Sequence, residues 1–509
     1  MFTTLSYEEL RLPHAQLCLP DEFTPQNHYY PRVLNAHMHP LVASFMRQSH
    51  LQIVQRYCHL NPQVDPDALT VQLKRCNQHL HWAGTDLFYT VTETGARRMI
   101  VVETNSCPSG NKSTPLLTED QEQGGYERLL NRCFMPLLKR RGLPAGGLAV
   151  IYDKNSMEAS GYAHALADLA QEPVYLTPMP TTDHPAARFD DGVLSVRTSE
   201  GEWLPIRAAF RYVTQRPWDR IPCSTKTIIS NPTIGCLAGG RNKLIAAKAY
   251  DLLNAKLRGS GLQIRTPETV RDVTLAEIPL WVERFGGYAV IKNPYSNAGQ
   301  GVWTITSQRD LDEFNEANHS YDQFIVQALI GNSQWSSIQK ESRYYHVGTM
   351  PNRRGEIYVA DLRMTVASGP EGFAPMAVYA RRTPSPLPSR LDSSQPSWPI
   401  LGTNLSVNQG GGAWGAETDR LLLMDEKDFN KLGVGIDDLL DGYIQAVLSS
   451  IAIDEMALRL SNVRKKGALK RRLFQSLNGD TQLISEIESA RGGIPSDAIS
   501  RMINPNDPF

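Results

Sequence analysis

The sequence predicts a mixed α/β chain, between α/β and α+β in character, and three stretches carry that prediction. Met99-Ile-Val-Val-Glu103-Thr-Asn105-Ser-Cys-Pro108-Ser109-Gly110 is four apolar residues, an acid and an amide, then a tight turn, the pattern of a buried strand ending at a polar edge. Gly147-Leu-Ala-Val-Ile-Tyr-Asp153, an apolar-periodic stretch from Met157 to Leu169 and Pro173-Val-Tyr-Leu follow one another as strand, helix and strand. Tyr288-Ala-Val-Ile-Lys292-Asn-Pro-Tyr-Ser296-Asn-Ala-Gly299-Gln-Gly301-Val-Trp-Thr-Ile305 is strand, glycine-bearing loop, strand.

The remaining elements are read in order. Residues 1–35 are Pro-rich and irregular. Apolar periodicity predicts helices over about 40–58 and 66–82, and a hairpin follows, with Asp86-Leu-Phe-Tyr-Thr-Val as one strand, Glu93-Thr-Gly95 as the turn and the Glu103 strand as its partner. Residues 124–142 read as helix, with strands near 193–198 and 206–213. Lys243 to Leu257 is a good helix, and strands recur near 324–327, 357–365 and 376–381. The Ser- and Pro-dense stretch at about 383–400 reads as a long loop or lid, and the last 70 residues as helical.

At 509 residues the chain exceeds one compact core and should hold roughly two or three packed domains. Lys and Arg number 52 against 53 Asp and Glu, so no global field favours nucleic acid or an anionic membrane. The basic run Arg464-Lys-Lys466 and Lys470-Arg-Arg472 lacks interleaved aromatics for base stacking and reads as a solvated helix face. No stretch reaches the length of a membrane span, and the start lacks the basic and apolar regions of a secretory signal; a cytoplasmic protein is expected. The seven cysteines lie singly, which predicts reduced, mostly buried thiols rather than a zinc site or disulfide framework. Cys107, in the turn after the Glu103 strand, has no matching base in its motif and reads as a packing residue.

Chemistry concentrates in a few places. Residues two apart on a strand point the same way, so Glu103 and Asn105 can reach one cation together, with Asp86 brought alongside by the hairpin; oxygen-only ligands suit Mg²⁺. An ordinary strand running into a turn would look much the same. Lys292 at the end of a buried strand delivers one positive charge, and the loop after it can turn backbone N–H groups onto a polyphosphate. It is neither a Walker loop nor a dinucleotide fingerprint, since no Gly-Lys-Ser opens a helix and no helix follows. Phe324-Ile-Val326-Gln327-Ala-Leu-Ile330 can serve as a hinge whose backbone reads an adenine edge. Asp361-Leu-Arg363 puts an acid and a guanidinium on one strand face, and Arg381-Arg382 and Thr403-Asn404-Leu-Ser406-Val-Asn408-Gln-Gly410-Gly-Gly412 add phosphate-type donors. His37, His39, His81 and His346 read as structural or surface residues.

In this order the parts resemble the circularly permuted ATP-grasp family: Asp and Glu-x-Asn, last in the usual ATP-grasp order, come first, in Gly84-Thr-Asp86-Leu and Glu103-Thr-Asn105-Ser-Cys-Pro108-Ser109-Gly110. The resemblance spans roughly residues 80 to 425, including Arg211-Tyr-Val-Thr-Gln-Arg216-Pro-Trp-Asp219 and Asn231-Pro to Asn242-Lys243. It implies a metal-binding hairpin with preceding helices over 1–145, a pre-ATP-grasp-like α/β substrate region over 146–235, the nucleotide region over 236–430, and a C-terminal helical extension over 431–509.

Residue by residue, the resemblance implies that Lys243 and Lys292 contact ATP phosphates, that Ser296, Asn297, Gly299 and Gly301 cover them, and that Val326, Gln327, Ala328 and Leu329 line the adenine slot with Asp361 in the nucleotide site. Asp86, Glu103 and Asn105 would hold Mg²⁺; Arg363, Arg382 and Asn404 would contact the transferring phosphoryl group or an acyl phosphate. The hinge has Gln327-Ala328 where an acid able to hold the ribose is common, leaving that contact unassigned. The implied activity is an ATP-dependent ligase that phosphorylates a carboxylate and lets an amine attack the acyl phosphate, with small-molecule acid and amine partners and room for a homodimer. Such catalysis is positioning and charge neutralisation, with no required protein nucleophile. A small-molecule kinase shares the same nucleotide site; a nucleotide sensor would not need three metal ligands. The acceptor pocket is expected to involve residues from about 147 to 220, with Tyr152, Asp153, Glu158 and Arg216 as candidates.

Overall fold

The computed structural model describes residues 10–118, 120–296, 299, 301–340, 342–392, 395–408, 414–462 and 468–489. Asn297, the run Arg464-Lys-Lys466 and the glycines at 410–412 lie outside them.

Among the described residues three larger sheets carry the fold. The first is built around Gly147–Tyr152, which runs parallel to Val174–Pro178 on one side and to Trp203–Tyr212 on the other. Its residues Leu148 to Ile151 are fully buried, as expected of a strand covered on both faces. Gln16–Cys18 joins the far edge antiparallel to Val174–Pro178, so the N-terminal segment belongs to this sheet. The second sheet is antiparallel, in the order Thr269–Thr274, Gln323–Ala328, Ala289–Lys292, Val302–Ile305.

The third sheet holds the predicted hairpin, Trp82–Thr92 and Arg97–Ser106. Trp82–Thr92 pairs on its other side with Ala360–Gly369, which pairs in turn with Gly372–Arg382. The turn closes through Gly95 at φ +82°, whose N–H bonds Thr92 O at 2.9 Å. The hairpin register sets Asp86 opposite Glu103 and Gly84 opposite Asn105, and slips by one residue between Asp86 and Leu87, leaving Val102 as a bulge. Gly84 is required by close approach: a Cβ there would sit 2.6 Å from the ring of Pro108, in the turn after Asn105.

Where the predicted helices ran long, local chemistry explains the difference. The 40–58 stretch is two helices, Pro40–Met46 and His50–Leu60, because Ser49 starts a new one through a capping box with Gln52. The second predicted helix stops at Leu73, since Trp82 already belongs to the sheet.

The C-terminal region is not an appendage. Ile436–Leu460 is a 25-residue helix buried along most of its length, packed against both strands of the hairpin, Ala360–Gly369 and the helix Lys243–Lys256. Several of its polar side chains are tied down. Asp454 accepts the N–H groups of Gln78, His79 and Leu80 at 2.7–3.2 Å, Gln445 accepts Arg265 N at 2.7 Å, and Ser449 Oγ lies 3.1 Å from Thr85 Oγ1, next to Asp86. The helix therefore holds the hairpin from behind. Leu448→Ala, at a fully buried position of this helix, should destabilise the protein by about 2–5 kcal/mol, read as a lower urea midpoint.

Candidate functional site

The third sheet brings four charges together. Asp361 sits opposite Arg381 and Arg363 opposite Asp86 in adjacent strand pairs. Arg363 donates Nε to Asp86 Oδ1 at 2.5 Å and Nη2 to Oδ2 at 2.6 Å; Arg381 Nη2 reaches Asp86 Oδ2 at 3.0 Å, and its Nε donates to Asp361 Oδ1 at 2.9 Å. Burial works to raise the Asp86 pKa, but the two guanidinium groups outweigh it and hold the carboxyl well below the usual range. Asp361 is pushed up by burial, with Asp86 adding to it, despite Arg381 and the more weakly acting Arg363.

Beside this cluster stand two lysines. Lys243 opens the helix Lys243–Lys256, whose start Asn242 caps by accepting Ile245 N–H at 3.3 Å. Its Nζ donates to Ser296 Oγ and O at 3.0 and 3.1 Å and lies 3.8 Å from Glu103 Oε2. Lys292 ends its strand, and its Nζ donates to the carbonyl of the bulged Val102 at 3.3 Å. Burial, then repulsion from Lys243, depresses the Lys292 pKa to about 8 despite Glu103. Burial lowers Lys243 as well. Asn105 Nδ2 donates to Glu103 Oε1 at 3.0 Å, and Asn105 Oδ1 accepts from Arg241 Nη1 at 3.2 Å.

These residues line one cavity of about 370 Å³. At one end Val290, Phe88, Ala328, Leu329, Ile330 and Leu401 form an apolar slot. His346 closes it edge-on to Phe88, ring centroids 4.6 Å apart, and burial drops its pKa to about 3, so it serves as a neutral wall. Ser296, Gly299, Gln327 and Asn404 also face the cavity. Gly299, at φ +78°, has Trp398 where a Cβ would be, at 2.9 Å. A polar cavity of about 590 Å³ shares the walls at Glu103, Asn105, Lys243, Lys292 and Gln327.

Three of the expected residues sit elsewhere. Arg382 points to the opposite side of its strand from Arg381, its Cζ 4.9 Å from the ring of Tyr358; strand alternation makes Arg381 the arginine of the cluster. Val326 packs into the core of the second sheet, while Gln327 faces the cavity. Gly301 closes the base of its loop, accepting Asn293 N–H at 2.8 Å, and is absent from the cavity wall. Asp86 reaches the cavity with both oxygens committed to arginines.

The suggested acceptor residues are structural. Tyr152 is in the core, and Asp153 pairs with Arg220 at 2.9 Å. Glu158 accepts Gly110 N–H and Asn111 N–H at 2.8 and 2.9 Å as well as the hydroxyls of Ser109 and Tyr212. Arg216 pairs with Glu486 at 2.6 Å. The cavity instead takes Lys154, Asn155 and Thr214, at the carboxyl ends of the parallel strands; that position, one residue past a strand already read, was the available signal. Lys112 and Arg241 also line it; Lys112 carries no motif, and Arg241 falls in the 231–243 stretch but is not among the residues predicted for the site.

The donor set fits a polyphosphate: Lys243 and Lys292, both pushed down by burial, stand beside Glu103 with Arg241 bonded to the neighbouring Asn105, and a bound anion would relieve that burial. It fits a hard cation through Glu103 and Asn105, whose oxygens are held by single neighbours; among the described residues no three His, Cys, Asp or Glu side chains cluster as a metal site.

No family model and no curated protein matches the chain. Solved structures that match include a glutathione synthetase-like effector from Globodera pallida in apo form, at 10% identity, covering 70% of this chain and 86% of that one with a TM-score of 0.38. A RimK domain ATP-grasp protein from Sphaerobacter thermophilus shares 14% identity over 46% of this chain and 90% of that one, TM-score 0.27. Carboxyaminoimidazole ribonucleotide synthase from Aspergillus clavatus, complexed with ATP, shares 11% over 34% and 52%, TM-score 0.19. These likenesses do not bear on substrate or mechanism; the side chains of the cleft do.

Two outcomes are expected. Arg381→Leu strands the buried Asp361 carboxylate and takes one of two arginines from Asp86, and should cost about 3–5 kcal/mol in chemical denaturation, whereas Arg382→Leu loses a half-exposed contact and should cost about 1 kcal/mol or less. Lys292 is cationic below about pH 8 and neutral above, and a bound anion favours the cation; the affinity for inorganic tripolyphosphate, by titration calorimetry, should therefore fall as pH rises through 8, with the dependence reduced in Lys292→Met.

Proposed function

We propose that this chain is an ATP-grasp ligase that uses Mg-ATP to phosphorylate a carboxylate and passes the acyl group to an amine. The observation that supports this reading is a single cavity joining an apolar slot, two buried lysines around one carboxylate, and a buried arginine pair.

Adenine fits between Val290, Phe88, Leu329 and Ile330, with backbone groups after Gln327 at its edge. Lys243 and Lys292 take the phosphates, under the loop holding Ser296 and Gly299. Glu103 and Asn105 would hold Mg²⁺, which when bound neutralises phosphate charge; Asp86 acts through its arginines, fixing them for the transferring group. Arg363 and Arg381, each anchored by a carboxylate, are aimed without further reorganisation at charge that builds in the transition state. The attack on the acyl phosphate needs no protein nucleophile, which agrees with the Cys107 thiol being buried and raised in pKa.

The test is ATP turnover with carboxylic acids and hydroxylamine: acid-dependent ADP release with trapped hydroxamate is expected, and a stable phosphorylated product would replace the ligase by a kinase. Glu103→Gln and Lys292→Ala should each lower turnover by about 10³-fold or more with an unchanged circular-dichroism spectrum; wild-type rates in either would remove that residue's assignment.

A further inference from the structure

The charges lining the cavity are unequal. Among its described residues are seven cations, Lys112, Lys154, Arg241, Lys243, Lys292, Arg363 and Arg381, against Asp86, Glu103 and Asp361. Arg363 and Arg381 balance Asp86 and Asp361, and the surplus around Glu103 suits a polyphosphate. Lys112 and Lys154 remain. Neither forms a salt bridge with any described carboxylate: Lys154 Nζ meets the carbonyl of Cys107 at 3.5 Å and the ring of Tyr212 at 5.5 Å, and the Lys112 ammonium lies 5.0 Å from the ring centroid of Tyr30.

Their place in the cavity follows from bonded neighbours. Lys292 leads to Val102, Glu103 faces Asp86, and Asp86 holds Arg363. Arg363 Nη1 reaches Tyr379 Oη at 3.3 Å, and that hydroxyl donates to Ser109 O at 3.2 Å. Ser109 and Cys107 belong to the turn that Lys154 and Lys112 flank. The two lysines thus lie past the arginines, away from the apolar slot. Lys112 is 7% exposed, and against burial Tyr30 and Glu158 push its pKa up and keep it cationic, whereas burial and then Arg241 bring the Lys154 pKa down to about 7, a cost that a bound anion would relieve.

We propose that Lys112 and Lys154 form an anion subsite for the acid substrate, so that the acid carries a second anionic group, carboxylate or phosphate, beyond the carboxylate that is phosphorylated. This rests on the ligase reading for its account of the reacting end. The second anion fixes the reacting carboxylate before the arginine pair, and acids with a single charge leave the buried Lys154 ammonium without an anion to relieve its burial.

The experiment titrates the full chain with succinate, O-phosphoserine and butyrate. At least one dianion should bind about tenfold or more tighter than butyrate; which one does so distinguishes a carboxylate from a phosphate partner. Lys154→Met and Lys112→Met should each weaken that dianion about tenfold, Lys154→Arg should stay within about threefold, and binding of a non-hydrolysable ATP analogue should be unchanged in all three. Equal binding of butyrate, no binding of either dianion, or full dianion affinity in both Met variants overturns the subsite. Dianion binding that is lost with Lys154→Met in a protein that binds no ATP analogue upholds the subsite and removes the nucleotide reading instead.

Discussion

The buried carboxylate of Asp86, gripped by Arg363 and Arg381, is the constraint on which the rest of the cleft depends. Two neighbouring strands supply its partners, and a fourth charge, Asp361, completes the set. Taking so many ions out of water costs several kcal/mol each and is tolerated only when every one is matched. The register of Trp82–Thr92, Ala360–Gly369 and Gly372–Arg382 is thus specified by charge as well as by apolar alternation, since a one-residue slip would face arginine with alanine. The arrangement stores two fixed guanidinium groups at the place where negative charge has to be gathered.

Around that cluster the protein spends packing to hold polar groups still. The helix Ile436–Leu460 gives its polar side chains to the back of the hairpin, and Glu158 uses its carboxylate to pin the turn after Asn105. Lys243 and Lys292 come from different elements, a helix start and a strand end, and converge because the sheet containing Lys292 packs its hinge against the same opening. The result is a cleft whose apolar and cationic parts are set by rigid elements.

Much of this was legible in the sequence because it obeys strict periods. The hairpin, the β-α-β unit and the strand bearing Lys292 are short apolar runs with clear turns, and Glu103, Asn105, Lys243, Lys292 and Arg363 stand at their ends or on their exposed faces. What was missed depended on long-range pairing. Choosing Arg382 over Arg381 required knowing which face Gly372–Arg382 turns inward, and that is fixed by Asp361 across the sheet. The long helix was legible as helix but not as core, since its burial is decided by the hairpin far away in sequence. Lys112 and Lys154 carry no motif; only the folded cavity brings them to one wall.

The unpaired Val102 has an effect on parity. In an uninterrupted strand Met99, Val101, Glu103 and Asn105 would all look the same way, and two acid or amide groups would be driven into the hydrophobic interior with the apolar pair. One supernumerary residue inverts the count midway: Met99 and Val101 pack inward, Thr104 meets Thr85 at 3.2 Å, and Glu103 and Asn105 emerge at the opening. A single peptide unit out of step thereby lets one continuous segment be greasy on its inner side for half its length and ligand-bearing on its outer side for the remainder.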